Sequence, residues 1–171
     1  MIDNAQFREF IIRPALNQIK MYSVDAEELL VATLAHESLG CSYLAQVGGD
    51  ACGPYMVQKE TYKSALCCIN RDFTLRNNVY KPFGYTLPPP IEVLRYNLRF
   101  ATIIARIIYH MVNKPLPLAN NIDDIWQYYK TYYNTVEGSA TKEAFISNYR
   151  RFIGAKDEEG IRPKRGTSGK A

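Results

Sequence analysis

A glutamate followed by a serine, Glu37-Ser38, closes a long apolar run and stands just ahead of a loop containing Gly48, Gly49 and Gly53. Gly53-Pro54-Tyr55-Met56-Val57-Gln58 comes next. A carboxyl group carried on an apolar helix is disfavoured as an anion, because burial strips its hydration. It keeps its proton to higher pH and can then serve as a general acid toward a leaving oxygen, the step that opens a glycosidic bond. The glycines let backbone donors and acceptors approach a polyhydroxylated ligand closely, and Gln58 adds a side-chain amide. Position alone fits equally an exposed carboxylate at a helix end, near Lys or Arg. The glycine loop and Gln58 favour the chemical role.

Glycosidases that use two carboxylates hold them roughly 5–9.5 Å apart. Asp50 lies in the glycine loop and is the candidate second carboxylate, whereas Asp123 and Asp124 fit the start of a helix. Without a second carboxylate, the substrate must supply its own nucleophile, and one glutamate acts first as acid and then as base. His36 points away from Glu37 around the helix and reads as a packing or surface residue. His110 falls in an apolar segment and reads as a core histidine.

These residues need helices to position them. Asn4 to Lys20 has an apolar face and carries Pro14, which must kink or divide it. Ser23 is an N-cap, followed by Asp25, Glu27 and Glu28 where the helix dipole favours anions. From Leu29 the helix is apolar on most faces, so it belongs in the middle of the domain with Glu37 at its end. Further helices are expected over Glu60–Ile69, Ile91–Val112, Asp123–Tyr132 and Thr141–Phe152, with a loop over Asn77–Pro90 and a short extended piece at Tyr55-Met56-Val57. Four tyrosines, Tyr128, Tyr129, Tyr132 and Tyr133, form either a core stripe or flat faces for sugar rings. The fold class is therefore mainly α: one domain over residues 1–153, then a basic, glycine-rich tail over 154–171 that is poor in apolar residues.

Composition narrows the class. The chain has 171 residues, 47% of them hydrophobic and 22% charged, which suits a single globule. No apolar run reaches the ~18 residues of a membrane span, and Asp3, Arg8 and Glu9 interrupt any secretory signature. The net charge of +4 fits simple solubility first, and otherwise mild attraction to an anionic polymer, nucleic acid or peptidoglycan. Arg95, Arg99 and Arg106 are interleaved with core positions and form no basic face, which argues against nucleic acid as a partner. Cys41, Cys52, Cys67 and Cys68 match no metal or redox spacing and read as free thiols, a Cys41–Cys52 bridge being the alternative. No metal or cofactor is expected.

The ordered segments "HES", "GPYMVQ", "FREFIIRPAL", "ESLGCSYLAQVGG", "FATIIARIIYHMVNKPLP" and "WQYYKTYYNTVEGSATKEAFISNY" resemble the lysozyme-like lytic transglycosylase family. The likeness is closest to the virion-associated members of tailed phages and covers Phe7 to Tyr149. It implies a goose-type lysozyme/transglycosylase domain that cuts the β-1,4 bond between N-acetylmuramic acid and N-acetylglucosamine, with Glu37 as general acid/base. It implies substrate-binding or supporting roles for Ser38, Tyr55, Gln58, Tyr133 and Asn134, with the tyrosine of the Tyr133-Asn134 pair touching the glutamate. The partners it implies are peptidoglycan glycan strands and other tail or internal-core virion proteins. The place it implies is the virion, made in the host cytoplasm without a signal peptide and acting in the host periplasm and cell wall. Three positions depart from the pattern. Met56 stands where a sugar-holding glutamine is usual, Gln58 where a glutamate is frequent, and Tyr62 where a histidine is frequent. These departures support a second expectation, a virion structural protein that keeps the fold with weakened or lost catalysis.

Overall fold

The protein is described by a computed structural model over residues 1–134 and 138–154. The basic tail expected beyond Gly154 lies outside the described residues, as does Thr135 next to the Tyr133-Asn134 pair. Eight α-helices are described: α1 (Asn4–Phe7), α2 (Arg13–Gln18), α3 (Val24–Glu37), α4 (Lys59–Arg71), α5 (Phe73–Tyr80), α6 (Leu98–His110), α7 (Ile122–Tyr129) and α8 (Lys142–Ile153). Two π-helical segments, Arg8–Ile12 and Lys130–Asn134, and two short 3-10 turns, Lys81–Phe83 and Ile91–Arg95, complete the inventory. The fold is mainly α. No strand occurs among the described residues; the extended pairing is limited to two isolated bridges, Ala45–Cys52 and Cys52–Val57. No described helix is long and apolar enough to cross a membrane.

The central helix forms for the reasons legible in its residues. The Ser23 hydroxyl accepts the Ala26 N–H at 3.0 Å, closing the N-terminus. Leu29, Leu30, Val31, Ala32, Leu34 and Ala35 are all buried, so α3 is covered on nearly every face. Its neighbours are α6, α7, α8 and the first π segment. Between α3 and α6 the Thr33 hydroxyl meets the Tyr109 hydroxyl at 2.7 Å, which satisfies two polar groups inside the core.

One expectation is refined and two are corrected. The first helix is interrupted just ahead of Pro14. The π segment ahead of it widens the backbone, with the Arg13 N–H bonding the Arg8 carbonyl five residues back, and Pro14 follows within the first turn of α2. The helix expected over Ile91–Val112 is two elements, because the Asn97 side chain accepts the Phe100 N–H at 3.0 Å and starts α6 afresh. The loop expected from Asn77 is helical as far as Tyr80. Asp72 caps α5 through the Leu75 N–H at 2.9 Å, and burial of Leu75, Val79 and Tyr80 outweighs the turn tendency of Asn77-Asn78.

A charge cluster fastens the N-terminal helix to the centre. Arg8 grips Glu28 with two N–H groups at 2.8 and 2.9 Å and reaches Glu27 at 3.2 Å, while Arg13 holds Glu27 at 2.9 and 3.0 Å. Tyr149 of α8 adds a hydroxyl to Glu28 at 2.5 Å. Burial opposes the Glu27 charge, but hydrogen bonds from Arg13, Arg8 and Tyr22 outweigh it and hold the carboxyl below its ordinary value. A carboxyl held low stabilises the fold at neutral pH and loses that contribution as pH falls through its folded value. Arg8→Met, which takes from Glu28 its arginine and from Glu27 one of its two, is expected to cost about 2–4 kcal/mol at pH 7 and less in acid, as Glu27 takes up a proton. Urea unfolding at pH 7 and at pH 3 checks this; an equal cost at both would show that the loss is one of packing.

Candidate active site

Glu37 is the last residue of α3, where the helix dipole already disfavours negative charge. The turn behind it is closed by Ser38. The Ser38 hydroxyl accepts the Cys41 N–H at 3.0 Å and donates to the Leu34 carbonyl at 3.3 Å. Ser38 is fully buried, so its role is to cap the helix behind Glu37; it offers nothing to a ligand, which corrects its expected binding role.

The Glu37 carboxyl is half-buried, and its Oε1 accepts the Tyr129 hydroxyl at 2.6 Å. Burial pushes it up to about 7, against the opposing pull of the Tyr129 donor. Near neutral pH the group is therefore divided between acid and anion, the condition a general acid/base needs. Burial, then the nearby Glu37 charge, raises the Tyr129 phenol well above its ordinary value, so it stays a proton-bearing donor.

Beside Glu37 runs a cleft of about 400 Å³. Met56, Val57 and Gln58 form one wall, Ile108 contributes from α6, and Tyr132, Tyr133 and Asn134 face them. A second hollow of about 330 Å³ shares Glu37 and Asn134 and is bounded by His36, Tyr129 and Thr141. Glu37 thus lines both hollows.

The Met56 wall depends on Gly53. Its φ of +77° is one that side-chain-bearing residues rarely adopt, and a Cβ there would lie 2.8 Å from the Leu94 carbonyl. The following turn sends Tyr55 inward. Tyr55 is fully buried, with its hydroxyl against Thr102 Oγ1 at 3.3 Å, so its ring cannot meet a ligand and the expected binding role is corrected. Met56 adopts a left-handed φ of +47°, so the extended piece expected at Tyr55-Met56-Val57 is a turn in which Val57 alone pairs.

The other expected residues divide clearly. Gln58, Tyr133 and Asn134 line the cleft. Tyr133 does not bond Glu37; its hydroxyl donates to the Tyr55 carbonyl at 2.7 Å and ties the two walls together. The contact with Glu37 belongs instead to Tyr129, four residues earlier and so on the same helical face, a spacing the tyrosine cluster already contained. Asp50 is exposed and lines neither hollow. His36 is half-buried against Tyr129 and Phe145, with ring centroids 5.5 and 5.4 Å away, while His110 is exposed at the end of α6 and not a core residue. Asp123 and Asp124 sit in the first turn of α7 behind the Asn121 cap. Cys41 and Cys52 are free thiols. Among the described residues no cluster of potential metal ligands occurs.

No protein family, curated protein or solved structure matches this chain.

The raised Glu37 carboxyl has a consequence for stability. Between the ordinary carboxyl value and about 7, the folded chain holds a proton that the unfolded chain has released. Stability from this group is therefore present in acid and lost as pH rises through that window. Glu37→Gln is expected to leave stability unchanged at pH 4 and to raise it at pH 8 by up to about 3 kcal/mol. Thermal unfolding of both proteins at both pH values tests it; parallel pH profiles would contradict a raised carboxyl.

Proposed function

We propose that the chain is a peptidoglycan-cleaving enzyme with a lysozyme-like fold, acting on the β-1,4 bond between N-acetylmuramic acid and N-acetylglucosamine, with Glu37 as general acid/base. The single observation that carries this reading is the Glu37 carboxyl: pushed up to about 7, held by Tyr129, and lining a cleft and a second hollow. The sequence resemblance supplies the substrate class, and the geometry supplies a group able to act on it.

In this mechanism a glycan strand lies along the cleft with Gln58 and Asn134 offering hydrogen bonds and Tyr132 and Tyr133 offering ring faces. The protonated Glu37 gives its proton to the leaving glycosidic oxygen as the C1–oxygen bond breaks. Glu37, now an anion, accepts a proton from the incoming nucleophile. Glu37 is the one carboxylate among the described lining residues of the cleft, and Glu137 lies outside the described residues. This supports capture of C1 by the 6-hydroxyl of the same muramyl sugar, giving a 1,6-anhydro end as in a lytic transglycosylase. A virion-associated role in opening the wall for genome delivery rests on the resemblance to tailed-phage proteins.

A second reading is favoured by Met56. It occupies the cleft wall with a thioether where the family that the sequence resembles usually places a hydrogen-bonding amide, and it does so in a left-handed backbone conformation. That arrangement suits a virion structural component that retains the domain while its catalysis has weakened.

Incubation with purified peptidoglycan, followed by mass spectrometry of the released fragments, separates the readings. The enzyme reading predicts anhydro-muramyl ends from the parent and about 10²–10⁴-fold slower release by Glu37→Gln, the range for loss of a general acid. Reducing muramyl ends would instead mark hydrolysis. Equal release by both proteins would remove Glu37 from the mechanism, and no release by folded parent protein would favour the structural reading.

A further inference from the structure

His36 shares the second hollow with Glu37. Two neighbours that titrate near neutrality would ordinarily compete: the usual histidine midpoint is about 6.5, and the Glu37 carboxyl is pushed up to about 7. An imidazolium beside the carboxyl would favour its anion and remove the proton that an acid role requires. The hydrogen bonds that His36 makes act against this outcome. The side-chain nitrogen of Asn148, on α8, meets His36 Nδ1 at 3.3 Å. The oxygen of the same amide accepts an N–H of Arg151 at 3.3 Å. A guanidinium only donates, so the amide must turn its oxygen to Arg151 and its nitrogen to His36. That nitrogen also only donates, so Nδ1 is an acceptor and the imidazole proton sits on Nε2. A proton on Nδ1 would set two donors against each other. Turning the amide to relieve them would set its nitrogen against Arg151.

We propose that Asn148 is a positioning residue: its amide, oriented by Arg151, holds His36 as the neutral imidazole protonated on Nε2 and so keeps an imidazolium from forming beside Glu37. The inference rests on the reading of Glu37 as a proton donor. The packing works in the same direction. His36 is half-buried with its ring against Tyr129 and Phe145. Burial holds the imidazole below its ordinary value; the Ala144 carbonyl opposes this and the Lys130 charge adds to it. Among the described residues the charged or titratable groups around His36 are Glu37 on α3, Tyr129 on α7, Lys130 on the second π segment and Arg151 on α8, which acts through Asn148. Glu37 is the one carboxylate among the described residues lining the hollow, so no other anion there favours an imidazolium.

Nitrogen-15 NMR of the imidazoles and carbon-13 NMR of the glutamate carboxyls, on the full chain, test this without turnover. The chain has two histidines, so His110→Asn assigns both. Neutral His36 in the parent is expected to carry its proton on Nε2. His36→Gln should leave the Glu37 midpoint in place, because the group removed is uncharged. Asn148→Ala should raise the His36 midpoint and lower that of Glu37, and adding His36→Gln to it should return Glu37 to the parent midpoint. Arg151→Met should free the amide to turn and admit the Nδ1-protonated form, whereas loss of a surface charge alone would leave the tautomer unchanged. A neutral parent His36 protonated on Nδ1 overturns the proposal. So does a Glu37 midpoint raised by His36→Gln or unmoved by Asn148→Ala, and so does a tautomer that Arg151→Met does not alter. Arg151 is exposed, so its variant keeps the test open if Asn148→Ala does not fold. Because the readouts are titrations, an active Glu37→Gln protein would remove the enzymatic reading and leave this result to stand or fall separately.

Discussion

The hydrogen bond from Tyr129 to Glu37 joins two requirements that pull against each other. A general acid needs a carboxyl kept from water, yet a carboxyl kept from water with no partner is costly. One phenol donor, placed by α7 against the last residue of α3, reconciles them. It satisfies one oxygen, leaves the other for chemistry, and lowers the carboxyl only part of the way that burial raises it. Much of the remaining architecture serves to keep those two helix ends in register.

That register comes from packing below the site. Tyr129 stacks on Tyr133 and tilts against Phe145, with ring centroids 5.9 and 4.7 Å away, so α7, the second π segment and α8 share one aromatic layer under Glu37. Thr33 and Tyr109 pin α3 to α6 one turn before the glutamate. On the far side, Arg8 and Arg13 hold the first turn of α3 through Glu27 and Glu28. The central helix is thus fixed at both ends by polar contacts and along its length by apolar burial, which leaves the Glu37 side chain little freedom to relax toward water.

The parts of this design legible in the sequence are those set by local chemistry. Ser23 as a cap, the all-round apolar character of α3, and Glu37 at its end follow from residue type and spacing, and so do the mainly α fold and the nearness of Gln58 to Glu37, whereas the places of Tyr133 and Asn134 were expected only from the family resemblance. What was not legible depends on neighbours distant in sequence. Tyr55 reads as a cleft tyrosine until Gly53 packs on Leu94 and turns the ring into the core. Ser38 reads as a binding hydroxyl until its bonds to Leu34 and Cys41 are seen to spend it on the helix end. The choice between Tyr129 and Tyr133 as the partner of Glu37 turns on how α7 docks against α3, since both lie on one face. The helix through Asn77-Asn78 was hidden because burial of its apolar side, a tertiary effect, overrode a local turn signal.

The central claim is that the fold keeps Glu37 poised between acid and anion at neutral pH. Titrating the Glu37 carboxyl in the unaltered protein, with its resonance assigned by loss in Glu37→Gln, tests that claim most directly. The account predicts a midpoint near 7. A midpoint in the ordinary carboxylate range, about 4, would contradict it: Glu37 would then be a solvated helix-end anion, and the cleft beside it would have no proton to give.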